Sequence, residues 1–241
     1  MVDDASEERT AGGVSSAGDL ESVYGHRFAD KDAAAKDALW AEICQYLQRY
    51  VDSALPVLDV ACDRGDFIRH IRTSERWAVD VRDVRRWLPA DVRFHQSDGP
   101  SMASVLPAAH FGTVFMSNYL EHLPSAEVIL RQLRAAWTVC RPGGRIIILQ
   151  PNIRLVGPAY WDFLDHHKAL TERSLREAAE ASGFVTERVL TRFLPFTTKS
   201  RLPQRPSLVR WYLRMPFVWI LMGKQTLYVG RKVAAAPEAL A

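Results

Sequence analysis

The sequence is short of cysteine, of glycine where a nucleotide-binding loop would want it, of long apolar runs and, over one stretch, of acid. Its three cysteines, Cys44, Cys62 and Cys140, are scattered and show no C-x-x-C spacing. An odd, unclustered set argues against a disulfide framework and against a thiolate zinc site. No apolar run reaches the ~18 residues that a membrane span requires. The longest candidate, Met215 to Met222, is too short and contains Pro216. The opening MVDDASEERTAGGVSSAGD has no basic n-region and no apolar h-region, so no signal peptide is expected and a cytoplasmic location is the default. From Arg188 to Pro237 there are ten basic residues and no acidic one. Lysine is scarce beside arginine, 6 against 25, and alanine is abundant, which suggests the codons of a GC-rich bacterial genome.

What is present is ordinary globular composition, 48% hydrophobic and 24% charged over 241 residues, enough for one large domain with extensions. Residues 1–20, rich in Gly, Ser, Ala and acids, read as a disordered tail. A helix is predicted over roughly 31–51, because Trp40, Ile43, Cys44, Leu47 and Val51 recur at helical spacing on one face. Short apolar runs then alternate with helical stretches. The runs are 57–61, 77–81, 92–96, 114–117, 145–150, 185–193 and 225–233; the helices fall at 65–72, 84–88, 126–140 and 172–182. Strand–helix alternation implies a parallel sheet covered on both faces. The last two strands are separated by a basic, aromatic segment at about 195–222 instead of an ordinary crossover helix.

The first strand runs into VLDVACDRGDF (57–67), where a nucleotide-binding fold places its glycine-rich turn. Asp59 and Asp80 lie 21 residues apart, the separation at which a second-strand acid takes ribose hydroxyls. The dinucleotide pattern G-x-G-x-x-G is missing. Asp63 and Asp66 put negative charge where a pyrophosphate would need bare amides. A cationic, phosphate-free nucleoside suits such a loop better than NAD, and S-adenosylmethionine is one.

From here the chain resembles the class I S-adenosylmethionine-dependent methyltransferases, through motifs in the right order over about residues 55–233. VLDVACDRG resembles their first motif, and WAVDV carries the second-strand acid, Asp80. Ser97-Asp98-Gly99 resembles the turn whose acid meets the adenine amino group. FGTVFMSNYLEHL (111–123) is similar to their fourth-strand motif, CRPGGRIIILQPN (140–152) to their fifth strand and its turn, and LTERSLREAAEASGF (170–184) to their late helix. The match is closer to a bacterial subgroup associated with surface-glycan or secondary-metabolite genes, which carries stretches like YGHRF (24–28) and YWDFLDHHKALT (160–171). The chain departs from the family at Ala61 and Asp63, where glycine is expected, and at Gly112, where aspartate usually stands. Alanine is tolerable at a negative φ, and aspartate tolerates the left-handed region better than most residues.

The resemblance implies a Rossmann-like α/β fold with a seven-stranded, mostly parallel sheet, helices on both faces and an antiparallel last strand. It implies a helical cap at 21–54 and a methyltransferase domain at 55–235. S-adenosylmethionine is the implied cofactor. Its site is expected from Asp59, Ala61, Cys62, Asp63, Gly65, Asp80, Val81, Asp98, Gly99 and Ser117, closed over by Tyr24 and Arg27. Candidate bases for the acceptor are His122 of the LEH motif, His166 and His167 with Asp165 in the loop after the fifth strand, and His26 of YGHRF. For His122 the competing reading is a helix-start residue that satisfies backbone amides. No metal is expected, since Glu121 and His122 alone are too few ligands.

The expected reaction is methyl transfer to a small molecule, a hydroxyl of a sugar, glycan intermediate or secondary metabolite. The alternatives are N- or C-methylation, a phosphate-bearing acceptor, or a non-catalytic binding module on the same fold. Ten basic residues without an acid suggest an anionic partner, although no nucleic-acid module is visible. A helix from about 207 would line Leu208, Trp211, Tyr212, Met215, Val218, Trp219 and Met222 along one face. That face is expected to pack on the sheet edge; covering the pocket, pairing with a second copy and resting on a membrane are the alternatives.

Overall fold

The computed structural model describes residues 33–196 and 206–233. The expectations for the tail at 1–20, for Tyr24, Arg27 and the rest of YGHRF, and for 197–205 fall outside these residues. The chain divides into two compact units, Met1–Ala33 and Ala34–Ala241, and the described structure is essentially the second.

The helices are α1 (Ala33–Leu47), α2 (Ala126–Val139), α3 (Ile153–Val156), α4 (Glu172–Ala181), α5 (Pro206–Arg214) and α6 (Pro216–Met222). The strands are β1 (Val57–Val60), β2 (Arg76–Asp80), β3 (Val92–Gln96), β4 (Phe111–Ser117), β5 (Cys140–Pro151), β6 (Phe184–Leu194) and β7 (Gln225–Lys232). They form one seven-stranded sheet in the order β3-β2-β1-β4-β5-β7-β6. The first five positions are parallel, and β7 runs antiparallel to both β5 and β6. The expected fold class is the one observed. The strand order reverses at β1, which pairs β2 on one side and β4 on the other. The loops at the carboxyl ends of β1 and β4 therefore diverge and leave a crevice there.

Strand residues alternate between two apolar layers, as a period of two requires. On one face Leu58, Val60, Val114, Met116, Ile146 and Ile148 pack with Ile129 and Leu133 of α2 and Leu175 of α4. On the other, Val57, Phe115, Ile147, Leu149 and Val229 pack with Cys44 and Leu47 of α1 and with Leu213 and Trp219 of α5 and α6. The predicted α1 face holds: Cys44, Leu47 and Val51 are buried. Ser125 caps α2 by accepting from the Val128 amide, and Thr171 and Ser174 form a capping box on α4.

Three expectations need correction. Residues 65–72 do not form a regular helix. The segment is a run of turns: the Arg69 and Ile71 amides reach back four residues, to the Gly65 and Phe67 carbonyls, but the His70 amide reaches back only three, to Phe67. At its end Arg76 takes the Ile68 carbonyl through Nε (3.0 Å) and the Ile71 carbonyl through Nη2 (3.2 Å). The stretch 84–88 shortens to one 3₁₀ turn, Arg85–Trp87. The single helix from about 207 is two, interrupted at Pro216, which lacks the amide a continuous helix needs. Its predicted apolar face is also misplaced: Leu213 and Trp219 are buried, whereas Leu208 and Trp211 face outward.

Phe67 and Phe115 stack at 3.7 Å between ring centroids, both buried, and pin the turns after β1 onto β4. Phe115→Ala should cost about 3–5 kcal/mol in urea denaturation. A loss below about 1 kcal/mol would show that this stack does not anchor the loop.

Candidate active site

At the end of β1 the backbone alternates in sign. Ala61 has φ +54°, Asp63 +47° and Gly65 +76°, so three residues of the turn lie in the left-handed region. Ala61 does not take the negative φ expected of it. An alanine there costs about 1–2 kcal/mol, which the surrounding bonds must offset. The Cys62 amide donates to the Val79 carbonyl (3.2 Å) and the Gly65 amide to the Cys62 carbonyl (2.8 Å). At Gly65 a Cβ would meet Leu88 Cδ2 at 2.6 Å, a side-chain tip that can move aside, so it is the positive φ that calls for glycine there.

The turn is crowded with carboxylates. Asp59 is buried within β1, and burial, reinforced by the charges of Asp66, Asp80 and Asp63, lifts its carboxyl well above the usual range. Burial and the same acids push the Cys62 thiol up, leaving it a neutral, inert lining group. Asp80, at the end of β2, is buried as well. Its Oδ2 accepts the Asp63 amide (3.0 Å) and its Oδ1 accepts the Arg82 amide (3.0 Å) and Arg82 Nε (3.2 Å). Arg82 also reaches Asp63 Oδ1 at 2.9 Å. Burial works against the Arg82 charge, but Asp80 and Asp63 outweigh it and hold the guanidinium above its ordinary value. Lys36 of α1 pairs with Asp66 and lies 4.0 Å from Asp63. Lys36 and Arg82 are the partners of these acids that motif reading missed; Arg82 had a signal, two positions after the strand acid.

Around this turn, Val81 is exposed beside Asp80. Asp98 is exposed in the turn after β3, where its Oδ1 accepts the Ser101 amide (2.9 Å). Gly99 is buried against Tyr119 and Gln132, whose side chains bond to each other at 3.0 Å. Ser117 ends β4, and Asn118 follows at φ +47°. The chain then makes the 3₁₀ turn Leu120–His122. Of these, Val81, Asp98, Gly99 and Ser117 are the residues expected from the sequence to frame the cofactor.

The LEH turn meets the loop after β5. The His167 and Lys168 amides donate to the Glu121 carbonyl (2.8 and 3.1 Å). His122 Nδ1 lies 2.9 Å from the Asp165 carbonyl and 3.2 Å from its Oδ2. A carbonyl only accepts, so Nδ1 carries the proton and Nε2 holds the lone pair. Burial lowers the His122 pKa, yet Asp165 and Glu121 together more than reverse this and raise it. His166 donates from Nδ1 to the Tyr160 carbonyl (2.7 Å), stacks on Phe163 and meets the His122 ring edge-on at 5.0 Å. His167 is exposed, and its described bond is through the backbone. Glu121 is buried and both its carboxylate oxygens lack a hydrogen bond among the described residues. Burial raises its pKa, with the His122 charge opposing. Glu121, His122 and His166 bring one possible ligand atom each within 4.8 Å of one another, a third candidate where the sequence offered two. The helix-start reading of His122 is not what the geometry gives, since its ring holds Asp165 and not a helix amide.

A family profile described as a methyltransferase domain matches residues 31–189. The chain belongs to the methyltransferase-domain family. No curated protein sequence matches it. Among solved structures, an Archaeoglobus fulgidus SAM-dependent methyltransferase aligns with TM-score 0.60 at 18% identity, covering 87% of this chain and 100% of that one. A Mesorhizobium loti S-adenosylmethionine-dependent methyltransferase aligns at 0.58 and 18%, covering 80% and 98%. The [4+2]-cyclase SpnF aligns at 0.56 and 19%, covering 81% of each. At these identities the likeness is one of fold. In this methyltransferase-family chain, the acid-rich turn and the His122–Asp165 pair both open on the reversal of strand order.

The Asp59 shift makes a signed prediction. Its carboxyl ionises near 3.8 when unfolded and higher when folded. Between the two values the native state keeps a proton that the unfolded chain has lost, so stability falls as pH rises through that window. Asp59→Asn should flatten the decline in urea-derived stability that begins as pH rises above 3.8, a slope of up to ~1.4 kcal/mol per pH unit from one such group. An unchanged slope would place the titrating group elsewhere.

Proposed function

We propose that this member of the methyltransferase-domain family uses S-adenosylmethionine to methylate a hydroxyl of a small molecule, a sugar, glycan intermediate or secondary metabolite. The observation that carries the reading is the carboxylate-rich turn at the switch point of the sheet. Asp63, Asp66 and Asp80 lie where a dinucleotide fold presents bare amides, with Lys36 and Arg82 as their cationic partners, and the buried Asp59, shifted toward its neutral form, adds little to the field. Such a field repels a pyrophosphate and attracts a sulfonium and an ammonium. The neutral Cys62 adds no further charge.

In this reading Asp80 accepts the ribose diol. It already accepts two amides and two bonds from the Arg82 guanidinium, Nε to Oδ1 and Nη2 to Oδ2, so taking both hydroxyls requires Arg82 to release both oxygens. The turn at Asp98 faces the adenine, and Asp63 and Asp66 meet the amino-acid end. Bound there, the cofactor supplies an electrophilic methyl group. His122 takes the acceptor's proton at Nε2 while Asp165 fixes the ring through Nδ1. His166, packed on Phe163, walls the pocket beside it. An oriented base favours a hydroxyl over an amine or carbon acceptor, because the hydroxyl must lose its proton as it attacks. A phosphate-bearing acceptor is the second reading, favoured by the acid-free stretch after Arg188.

A base must be neutral to act, so activity should be lost as pH falls through the His122 pKa, which lies above the ordinary 6.5. His122→Gln should lower transfer of a labelled methyl group by about 10²–10⁴-fold and abolish that acidic limb, with cofactor affinity by calorimetry unchanged. Unaltered turnover and pH profile in the variant would remove His122 from the reaction.

A further inference from the structure

The outward face of α5 and α6 is apolar without a described partner. Leu208 is 49% exposed, Trp211 61%, Phe217 65%, Ile220 66% and Leu221 81%. Leu208 and Trp211 lie three residues apart on α5. Phe217, Ile220 and Leu221 lie at i, i+3 and i+4 on α6, so each set forms one stripe. Five large apolar side chains displayed by consecutive helices exceed the scatter of single exposed residues that a soluble surface normally carries.

The display is built into the fold. Leu213 and Trp219 are buried in the core layer with Tyr46 and Phe193, and the Trp219 indole donates to the Tyr212 carbonyl at 2.7 Å. Arg210 makes a bidentate pair with the buried Glu42 of α1, and Tyr212 donates its hydroxyl to the Phe193 carbonyl at 2.6 Å. The inner side of both helices is thereby fixed, and the apolar stripes cannot turn inward.

The charge around the patch identifies the occupant. Arg192, Arg214 and Lys224 are exposed in the same segment, and Arg188 to Pro237 contains no acid. A second copy docked on this face would set those cations against their own kind. Neither helix is long and apolar enough to cross a membrane, nor is any other among the described residues. Short helices with aromatic and aliphatic residues outward and cations beside them are suited to lie in the interface of an anionic bilayer. We infer that α5 and α6 form a docking surface for anionic phospholipid.

The test is co-sedimentation of the full chain with phosphatidylcholine vesicles, with and without phosphatidylglycerol. The protein should partition at least about tenfold more strongly onto the anionic vesicles and be released by added salt. The double variant Phe217→Glu, Leu221→Glu should lose this binding while keeping its far-UV circular dichroism and urea midpoint, since both side chains point outward. Val105→Glu, at another exposed apolar site (48%) on the loop before β4, should retain it. Three results would overturn the inference: no sedimentation with anionic vesicles, equal sedimentation of the double variant, or a wild-type dimer that the double variant disperses.

Discussion

The hydrogen bond from the Asp63 amide to Asp80 Oδ2 ties the loop after β1 to the end of β2, and the candidate site depends on it. It holds a turn that places alanine and aspartate in the left-handed region, where each is disfavoured without compensation. It also gathers four carboxylates into one place, against Lys36 and Arg82. One of the four, Asp59, is buried beside the other three, and burial and their charges raise its pKa above the usual carboxylate range. The missing glycines of the first motif thus leave a turn with an altered electrostatic character, and that character narrows the ligand.

Much of this was legible in the sequence because it rests on order and spacing. The apolar runs marked all seven strands to within a few residues at most, and the acids at 59, 80 and 98 fell at the strand ends on which the crevice opens. Asp63 was expected in the left-handed region and is found there. What escaped was set by contacts distant in sequence. The φ of Ala61 could not be read from its identity. The turns at 65–70 end where Arg76, a residue of the next strand, takes the Ile68 and Ile71 carbonyls, a contact that periodicity does not show. In 206–222 nearly every position is apolar or basic, so periodicity could not choose a face; Glu42, more than 160 residues earlier, chooses it through Arg210.

The histidines show the same limit. Four were candidates by type and place; His26 lies outside the described residues, and the fold separates the other three. His122 and His166 meet across the crevice, each with Nδ1 committed to a carbonyl, whereas His167 turns to solvent. Asp165 acquires a role only because the loop after β5 returns to the LEH turn through the Glu121 carbonyl. The lipid-facing reading of α5 and α6 is independent of this chemistry, since it rests on surface exposure and charge at the far edge of the sheet.

The proposal that the acid-rich turn admits a phosphate-free cationic nucleoside is tested most directly by calorimetry of the purified chain with S-adenosylmethionine and, separately, with NAD. The carboxylates around Asp63 predict saturable binding of S-adenosylmethionine and none of NAD at the same concentrations. Binding of NAD, or no binding of S-adenosylmethionine at millimolar concentration, would contradict it.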